Sequence, residues 1–399
     1  MKSKIGGVGI LVFILAVYGV AGEGSWAKIA KCPKVKKVWT TVWTGSEWIL
    51  VGEKGARYNP ETDTWKSITK CPLSSGVLGR YEAVWTGSEV IIWGEKRGVM
   101  SGQSHGVRYN PNTDTWKEMA KAPLETRSGH SMVWTGKELI VWGGVTAELF
   151  YKSDGARYDP ETDTWTLIAA APSVMGIGRG WHEAVWTGKE MVVFGGIRGK
   201  PAGTMGLVEL FYTLSDGARY NPETDTWKPM AKAPLKSMLP LVPINPLHLK
   251  GGILCAVWTG REMIVVESGR VEKGKRKVEM VWDGARYNLD TDSWKPMALP
   301  PLKPRNNLVS LWSGTEMIIW GGNITVSTGA TSSFATCYFD GARYNPEMDS
   351  WTPLPPLRKP KSPLMAPATL KLLKKSYLRT HHALWTGKEL ITYDGRYNP

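Results

Sequence analysis

Cysteine is nearly missing from this chain, with 4 residues in 399: Cys32, Cys71, Cys255 and Cys337. None stands in a CxxC pair, a CxxCH run or a zinc-type spacing, so neither a disulfide framework nor a thiolate metal centre is expected. Acidic residues are in the minority, 36 against 50 basic, for a formal net charge of +14. That balance bears on solubility and on acidic partners, and leaves the fold open. Long apolar runs are missing too, save one. Lys2 and Lys4 precede an apolar stretch over 5–21, and Gly22-Glu23-Gly24-Ser25 follows. A basic start, an apolar core and a small-residue exit read as a secretory signal over 1–22, preceding a single domain over 23–399. The run is short for a membrane span, so no transmembrane segment is expected after cleavage; a retained N-terminal anchor is the alternative. No cysteine sits where lipoprotein processing needs one. The expected location is periplasmic or secreted.

Phenylalanine is scarce at 6, yet tryptophan reaches 21. Enrichment of one aromatic alone points to a single structural position copied many times. Two motifs carry the copies. Trp-[Thr/Ser]-Gly-x-Glu occurs at Trp43, Trp85, Trp134, Trp186, Trp258, Trp312 and Trp385. Gly-x-Arg-Tyr, followed after a turn by Asp-[Thr/Ser]-Trp, places Tyr58, Tyr109, Tyr158, Tyr220, Tyr287 and Tyr344 seven residues before Trp65, Trp116, Trp165, Trp227, Trp294 and Trp351. A period of about 50 residues with two turn motifs per unit is the signature of propeller blades.

Each unit resolves into four short strands. Ser131-Met132-Val133-Trp134 leads into a Thr-Gly turn, where glycine supplies the positive φ of a tight hairpin. Leu139-Ile140-Val141-Trp142 is apolar throughout, as in a strand buried on both faces. Ala-Arg-Tyr forms the third strand, an Asn-Pro turn follows, and the second Trp opens the fourth. There are seven Trp-Thr-Gly turns but only six Asp-Thr-Trp strands. The missing one lies at the other end of the chain: Ser25-Trp26-Ala27-Lys28-Ile29-Ala30-Lys31-Cys32-Pro33 matches Thr64-Trp65-Lys66-Ser67-Ile68-Thr69-Lys70-Cys71-Pro72. The expected fold is therefore all-β, a seven-bladed propeller of four-stranded antiparallel blades, closed by residues 25–33 joining 380–399. Closure of that kind removes an exposed sheet edge.

The unit resembles the kelch repeat, a Gly-Gly pair after the second strand followed by the Tyr and Trp pair. Gly143-Gly144, Gly195-Gly196 and Gly321-Gly322 carry the full pair; blades 1 and 2 keep Gly52 and Gly94, and blade 5 has Glu267-Ser268. The resemblance spans residues 25–399 and implies the propeller. It leaves the chemistry open, since kelch propellers include binding scaffolds and enzymes.

Residues repeated once per blade are read as architecture. Glu47, Glu89, Glu138, Glu190, Glu262, Glu316 and Glu389 are expected to pair with Arg57, Arg108, Arg157, Arg219, Arg286, Arg343 and Arg396. The Asp before each second Trp is read as a turn cap. Function is sought where symmetry breaks. The second-to-third-strand loops and interblade links vary in length and share one face, where binding normally resides. First-strand starts at that face carry Arg80, Glu82, Arg127, His130, Arg179, His182, Glu183, Arg305, Arg379, His381 and His382, a candidate ligand ring at the channel mouth. The link 355–379 adds Lys371, Lys374 and Lys375 without any acid, and Lys34, Lys36 and Lys37 lie beside it in the closed ring. A basic rim around a concavity attracts anions. Stacking aromatics are sparse among these basic runs, so nucleic acid is not an expected partner.

The reading that follows is a monomeric, non-enzymatic scaffold of the cell envelope that binds a protein or an anionic glycan. The alternative is a carbohydrate-active enzyme resembling the sialic acid mutarotase type of kelch propeller, with a pocket at the channel mouth. No catalytic residue, cofactor or metal is assigned. The ligand motif of copper-oxidase kelch propellers has no counterpart in the chain.

Overall fold

The computed structural model describes residues 24–73, 80–95, 104–146, 148, 150–172, 178–202, 207–235, 254–273, 277–327, 333–357 and 382–399. They form seven four-stranded antiparallel sheets and two further two-stranded hairpins. Blade 3 shows the pattern, with strands Ser131–Trp134, Leu139–Trp142, Gly155–Asp159 and Thr164–Leu167 in sequential order. First strands of successive blades pack against one another, so they form the inner wall. The second strand is buried along its whole length, because each of its faces meets a neighbouring element. The core is consequently divided among the seams between blades. One seam joins Ile91 and Trp93 of blade 2 to Leu139, Val141 and Tyr158 of blade 3. The expected closure is present: Ser25, Trp26 and Ala27 pair with Asn398, Tyr397 and Arg396, completing the seventh blade.

The once-per-blade charges hold the scaffold together, as expected. All seven Glu–Arg pairs form within their own blades, at 2.5 Å to 4.0 Å. Six of these arginines also donate to a backbone carbonyl of the next blade's second turn: Pro111, Pro160, Pro222, Leu289, Pro346 and Pro60. Each of these six arginines is thus a rivet across a seam, and its planar fork suits two simultaneous acceptors.

The turn aspartates do more than cap. Asp63, Asp114, Asp163, Asp225, Asp292 and Asp349 adopt φ between 47° and 54°, the left-handed conformation that aspartate tolerates better than most residues. In blade 3, Asp163 Oδ1 accepts the Tyr158 hydroxyl at 2.6 Å and the Ala120 N–H of blade 2 at 2.9 Å. Trp165 Nε1–H then donates to the carbonyl of the same Ala120 at 2.9 Å. Both backbone groups of one residue are therefore held by the adjoining blade. The clamp recurs on Ala30, Thr69, Ala169, Ala231 and Ala298. These bonds hold the aspartates below the usual carboxylate range, against the opposing effect of burial.

At the closing seam the clamp is halved. Trp26 Nε1–H donates to the Pro355 carbonyl at 2.7 Å, but Gly24 stands where other blades have the aspartate. A Cβ on Gly24 would lie 2.2 Å from the Asn398 carbonyl oxygen, so no larger residue fits. Pro355 has no N–H to offer, and the absent acceptor meets an absent donor.

The opposite face is uneven. Blade 4 projects a hairpin, Ile197–Ala202 with Leu207–Thr213, and blade 6 another, Asn323–Ser327 with Ser333–Cys337. Between them, blade 5 runs its middle strands out to Glu262–Lys273 and Lys277–Asn288 without a break. The glycine pairs explain the difference. Gly195 and Gly196 (φ 67° and 96°) and Gly321 and Gly322 (φ 73° and 87°) interrupt the ladder before each separate hairpin. Blade 5, with Glu267-Ser268 there, continues its ladder. Blades 1 and 7 make tight connections instead, Gly55 alone between Trp48–Lys54 and Ala56–Asn59, and two residues between Leu390–Thr392 and Gly395–Asn398. Among the described residues no helix is long and apolar enough to cross a membrane.

Candidate functional site

The structure separates the arginines that the sequence groups in one ring. Arg127, Arg179 and Arg305 occupy one equivalent position, in the three blades that carry Gly-Gly, and all are buried. Arg127 grips Asp154 with both terminal nitrogens, at 2.6 Å and 3.1 Å, and donates to the carbonyls of Glu125 and Gly143. Arg179 donates to the carbonyls of Gly195 and Asp216 and pairs with the Asp216 carboxylate at 2.8 Å. Arg305 repeats this with Gly321 and Asp340, and stacks 3.8 Å over the Tyr338 ring. The glycine pair turns its carbonyl inward, and the guanidinium satisfies it. These three side chains brace the loops at the mouth.

Arg80 has a different register. It stands two residues before Glu82, opposite Glu95 in the ladder of blade 2, whereas Arg127 stands four before Ser131. In blade 1 the arginine's position holds Lys36, paired with Glu53 at 2.5 Å. Arg379, His381, Lys371, Lys374 and Lys375 lie outside the described residues, as does the segment 1–22.

The two buried histidines serve the seams. His130 meets the ring of Trp93 edge-on at 4.8 Å, and His182 meets Trp142 at 5.0 Å with its Nε2 2.8 Å from Ser131 Oγ. Burial, reinforced by the neighbouring arginine, drives His130 down to about 3 and His182 well below the usual imidazole range. Both stay neutral near pH 7, which suits packing and not proton shuttling.

What remains at the mouth is a ring of one residue per blade, three before each turn Trp: Thr40, Glu82, Ser131, Glu183, Cys255, Val309 and His382. Glu82 is exposed, while Glu183 and His382 are half-buried. Burial raises the Glu183 carboxyl to about 8, with the charge of Glu82 adding to the rise. Burial also pushes the Cys255 thiol upward, which leaves it a poor nucleophile. In blade 5 a second carboxyl, Glu267, is raised to about 8 by burial and by Asp283 across the ladder.

A pH dependence follows. Glu183 and Glu267 bind protons more tightly folded than unfolded, so their stabilising contribution is complete below about pH 4.5 and declines as pH rises to about 8. The seam aspartates act oppositely, losing theirs as pH falls below about 3.8. The buried histidines, neutral when folded, lose theirs as pH falls below about 6.5, so thermal melting is expected to peak between about pH 5 and 6.5 and to drop from there toward pH 8.5. Glu183→Gln should flatten that drop; a midpoint that climbs from pH 6.5 to pH 8.5 would contradict it.

No protein-family model matches the chain, and no curated protein matches it. Among solved structures, that of YjhT aligns with a TM-score of 0.55 at 14% identity, over 82% of this chain and 99% of that one. Likeness at that identity shows the fold and nothing finer. With its seven four-stranded blades closed by the two chain ends, the protein is a seven-bladed β-propeller.

Proposed function

We propose that the protein is a non-enzymatic binding scaffold of the cell envelope that captures an anionic ligand, an acidic glycan or an acidic protein surface, on its long-loop face. One observation carries this reading: hairpins rise from blades 4, 5 and 6 on one side of the face, while blades 7 and 1 keep tight connections opposite. A wall beside a low sill leaves lateral room for a long ligand. The formal charge of +14 favours an anionic one. Lys371, Lys374 and Lys375 supply attraction in this reading. The kelch-like repeat fits such a scaffold, and export through the segment 1–22 would put it in the envelope.

The test is capture on immobilised acidic glycans and acidic proteins at graded salt. Replacing residues 198–212 by a short Gly-Ser link should abolish capture. Reversing the three lysines to Glu should weaken it and reduce its salt dependence. Undiminished capture by both variants refutes the reading.

A second reading, a carbohydrate-active enzyme of the mutarotase type, draws on Glu183. A carboxyl that titrates near 8 at a channel mouth is matched to proton transfer near neutrality. Glu183→Gln would abolish turnover of a sugar substrate in that case and leave capture intact in the first.

A further inference from the structure

At the seam between blades 5 and 6, amide side chains gather that the fold does not ask for. Blades 3, 4 and 6 open their first strands alike: a buried arginine, one residue bridged to the second-to-third connection, then a residue in the left-handed conformation. Blade 3 uses Ser128 and Gly129, with Val145 as the bridge partner; blade 4 uses Gly180, Trp181 and Ile197. Blade 6 puts asparagine in all three places, at 306, 307 and 323. In every case the bridge is made by backbone, N–H to carbonyl in both directions, so it needs no amide side chain. Asparagine accepts the φ of 59° at position 307, which accounts for one of the three. The other two need another reason.

Ser268 of blade 5 shows how the cluster is held. In blade 3 the second glycine of the pair, Gly144, donates its N–H to the Arg179 carbonyl of the next blade. Blade 5 continues its ladder there, and the hydroxyl of the fully buried Ser268 takes over that bond, 2.9 Å from the Arg305 carbonyl. The same hydroxyl lies 2.9 Å from Asn306 Oδ1. Its single proton serves one oxygen at a time, and an amide can turn either end toward it. Asn306 is therefore pinned at one end by a buried serine. Its other end meets no partner among the described residues and is not sealed from solvent. Beside it, Asn307 Nδ2 donates to Asn323 Oδ1 at 3.1 Å, which fixes the plane of the second amide. Asn306 and Asn307 are half-buried, whereas Asn323 is 7% exposed. Asn323 begins the hairpin of blade 6, and Ser268 stands just past Glu267, where the first strand of blade 5 stops pairing. Two held, half-open amides thus lie at the feet of two hairpins.

Amides held in this way suit an uncharged group that offers donors and acceptors side by side. A carboxylate or sulfate offers acceptors alone and is met best by a guanidinium. The guanidinium at this seam, Arg305, is buried and engaged by Gly321 and Asp340. Neighbouring sugar hydroxyls each donate and accept, as an amide does. We infer that the seam between blades 5 and 6 is a saccharide subsite, in which Asn306 and Asn307 read adjacent hydroxyls of one sugar ring while Ser268 and Asn323 hold the two amides. This deepens the proposed capture of an anionic glycan and rests on that reading: the basic rim attracts any acidic chain, and the subsite selects among chains by their hydroxyl pattern.

Blade 3 supplies the substitution that tests this. Asn306→Ser together with Asn307→Gly installs its residues, which sustain the same backbone bridge and the same left-handed angle there. Binding of uronic-acid oligosaccharides, free and O-methylated at their hydroxyls, is measured by calorimetry at low and high salt, alongside thermal melting without ligand. The double variant is expected to melt close to the wild type and to bind the free oligosaccharides at least about tenfold more weakly. That loss should persist at high salt, because it removes hydrogen bonds, whereas the effect of reversing the rim lysines should fade. The wild type should bind the O-methylated sugars as weakly as the double variant binds the free ones. If the double variant melts early, Asn306→Ala carries the same test, since it leaves Asn307 and its bond to Asn323 in place. Oligosaccharide binding that these variants leave intact, a defect that vanishes with salt, or equal binding of free and O-methylated sugars overturns the subsite while the capture reading stands. Capture of acidic proteins with no oligosaccharide bound also overturns it. A face that captures no glycan and no acidic protein removes the broader reading as well.

Discussion

A chain lacking residues 25–33 should fold poorly, melt far below the intact protein and associate through blade 7. The loss begins with Trp26, which packs 4.8 Å from Trp320 and 5.3 Å from Tyr397 and donates to Pro355. Removing a well-packed tryptophan costs about 3–5 kcal/mol by itself. The strand Gly395–Asn398 is then left as an open edge, with its ladder groups free to pair with another chain. The closing seam has less in reserve than the others, because the aspartate half of its clamp is missing. Size-exclusion chromatography and thermal melting read the result. Monomeric behaviour with an unchanged midpoint would mean that the ring does not depend on its N-terminal strand.

Arg127→Ala should be the most damaging single change at the mouth, with a loss of about 3 kcal/mol. Breaking a buried ion pair typically costs about 3–5 kcal/mol, but the Asp154 side chain keeps 51% of its surface in solvent and can rehydrate. The remaining cost comes from the Gly143 carbonyl left without its donor and from the cavity. Arg157→Ala provides the control. Its guanidinium lies 3.9 Å from Glu138 and is partly exposed, which places that pair at about 1 kcal/mol or less, and its bond to the Pro222 carbonyl adds about 1 kcal/mol, still well short of the loss at Arg127. Comparable losses for the two variants, by denaturant titration, would contradict the bracing role. The same argument predicts that Arg179→Ala lowers stability, so a binding defect in that variant does not by itself identify a ligand contact.

The fold was legible because its constraints are local and repeated. Glycine in each Thr-Gly turn takes φ between 94° and 103°, as the tight hairpin demands. The match of Ser25-Trp26 to Thr64-Trp65 revealed the closure, since the fourth strand must pair with the third wherever it lies in the chain. The Glu–Arg pairs were legible for the same reason. The aspartate clamp was only half legible: a turn cap is a short-range feature, but its bond to Ala120 crosses 43 residues to another blade. The mouth was least legible. Arg80 and Arg127 look alike in sequence, and only the register shows that one lies in a ladder and the other beneath a glycine pair. Trp181 left a signal that alignment of the three Gly-Gly blades exposes, a tryptophan where the others have Gly129 and Asn307. Only the structure shows that this tryptophan holds a left-handed backbone, with φ 54°.

The central claim is that the uneven face, and not the face of invariant turns, does the binding. Hydrogen–deuterium exchange of the protein with and without a bound acidic oligosaccharide tests it most directly. Slowed exchange is expected in the strands that rise from blades 4, 5 and 6, over 197–202 and 207–213, 267–273 and 277–283, and 323–327 and 333–337. The Thr-Gly turns at Gly45, Gly87, Gly136, Gly188, Gly260, Gly314 and Gly387 should exchange as before. Protection confined to those turns, with the hairpins unchanged, would place the ligand on the opposite face and contradict the account.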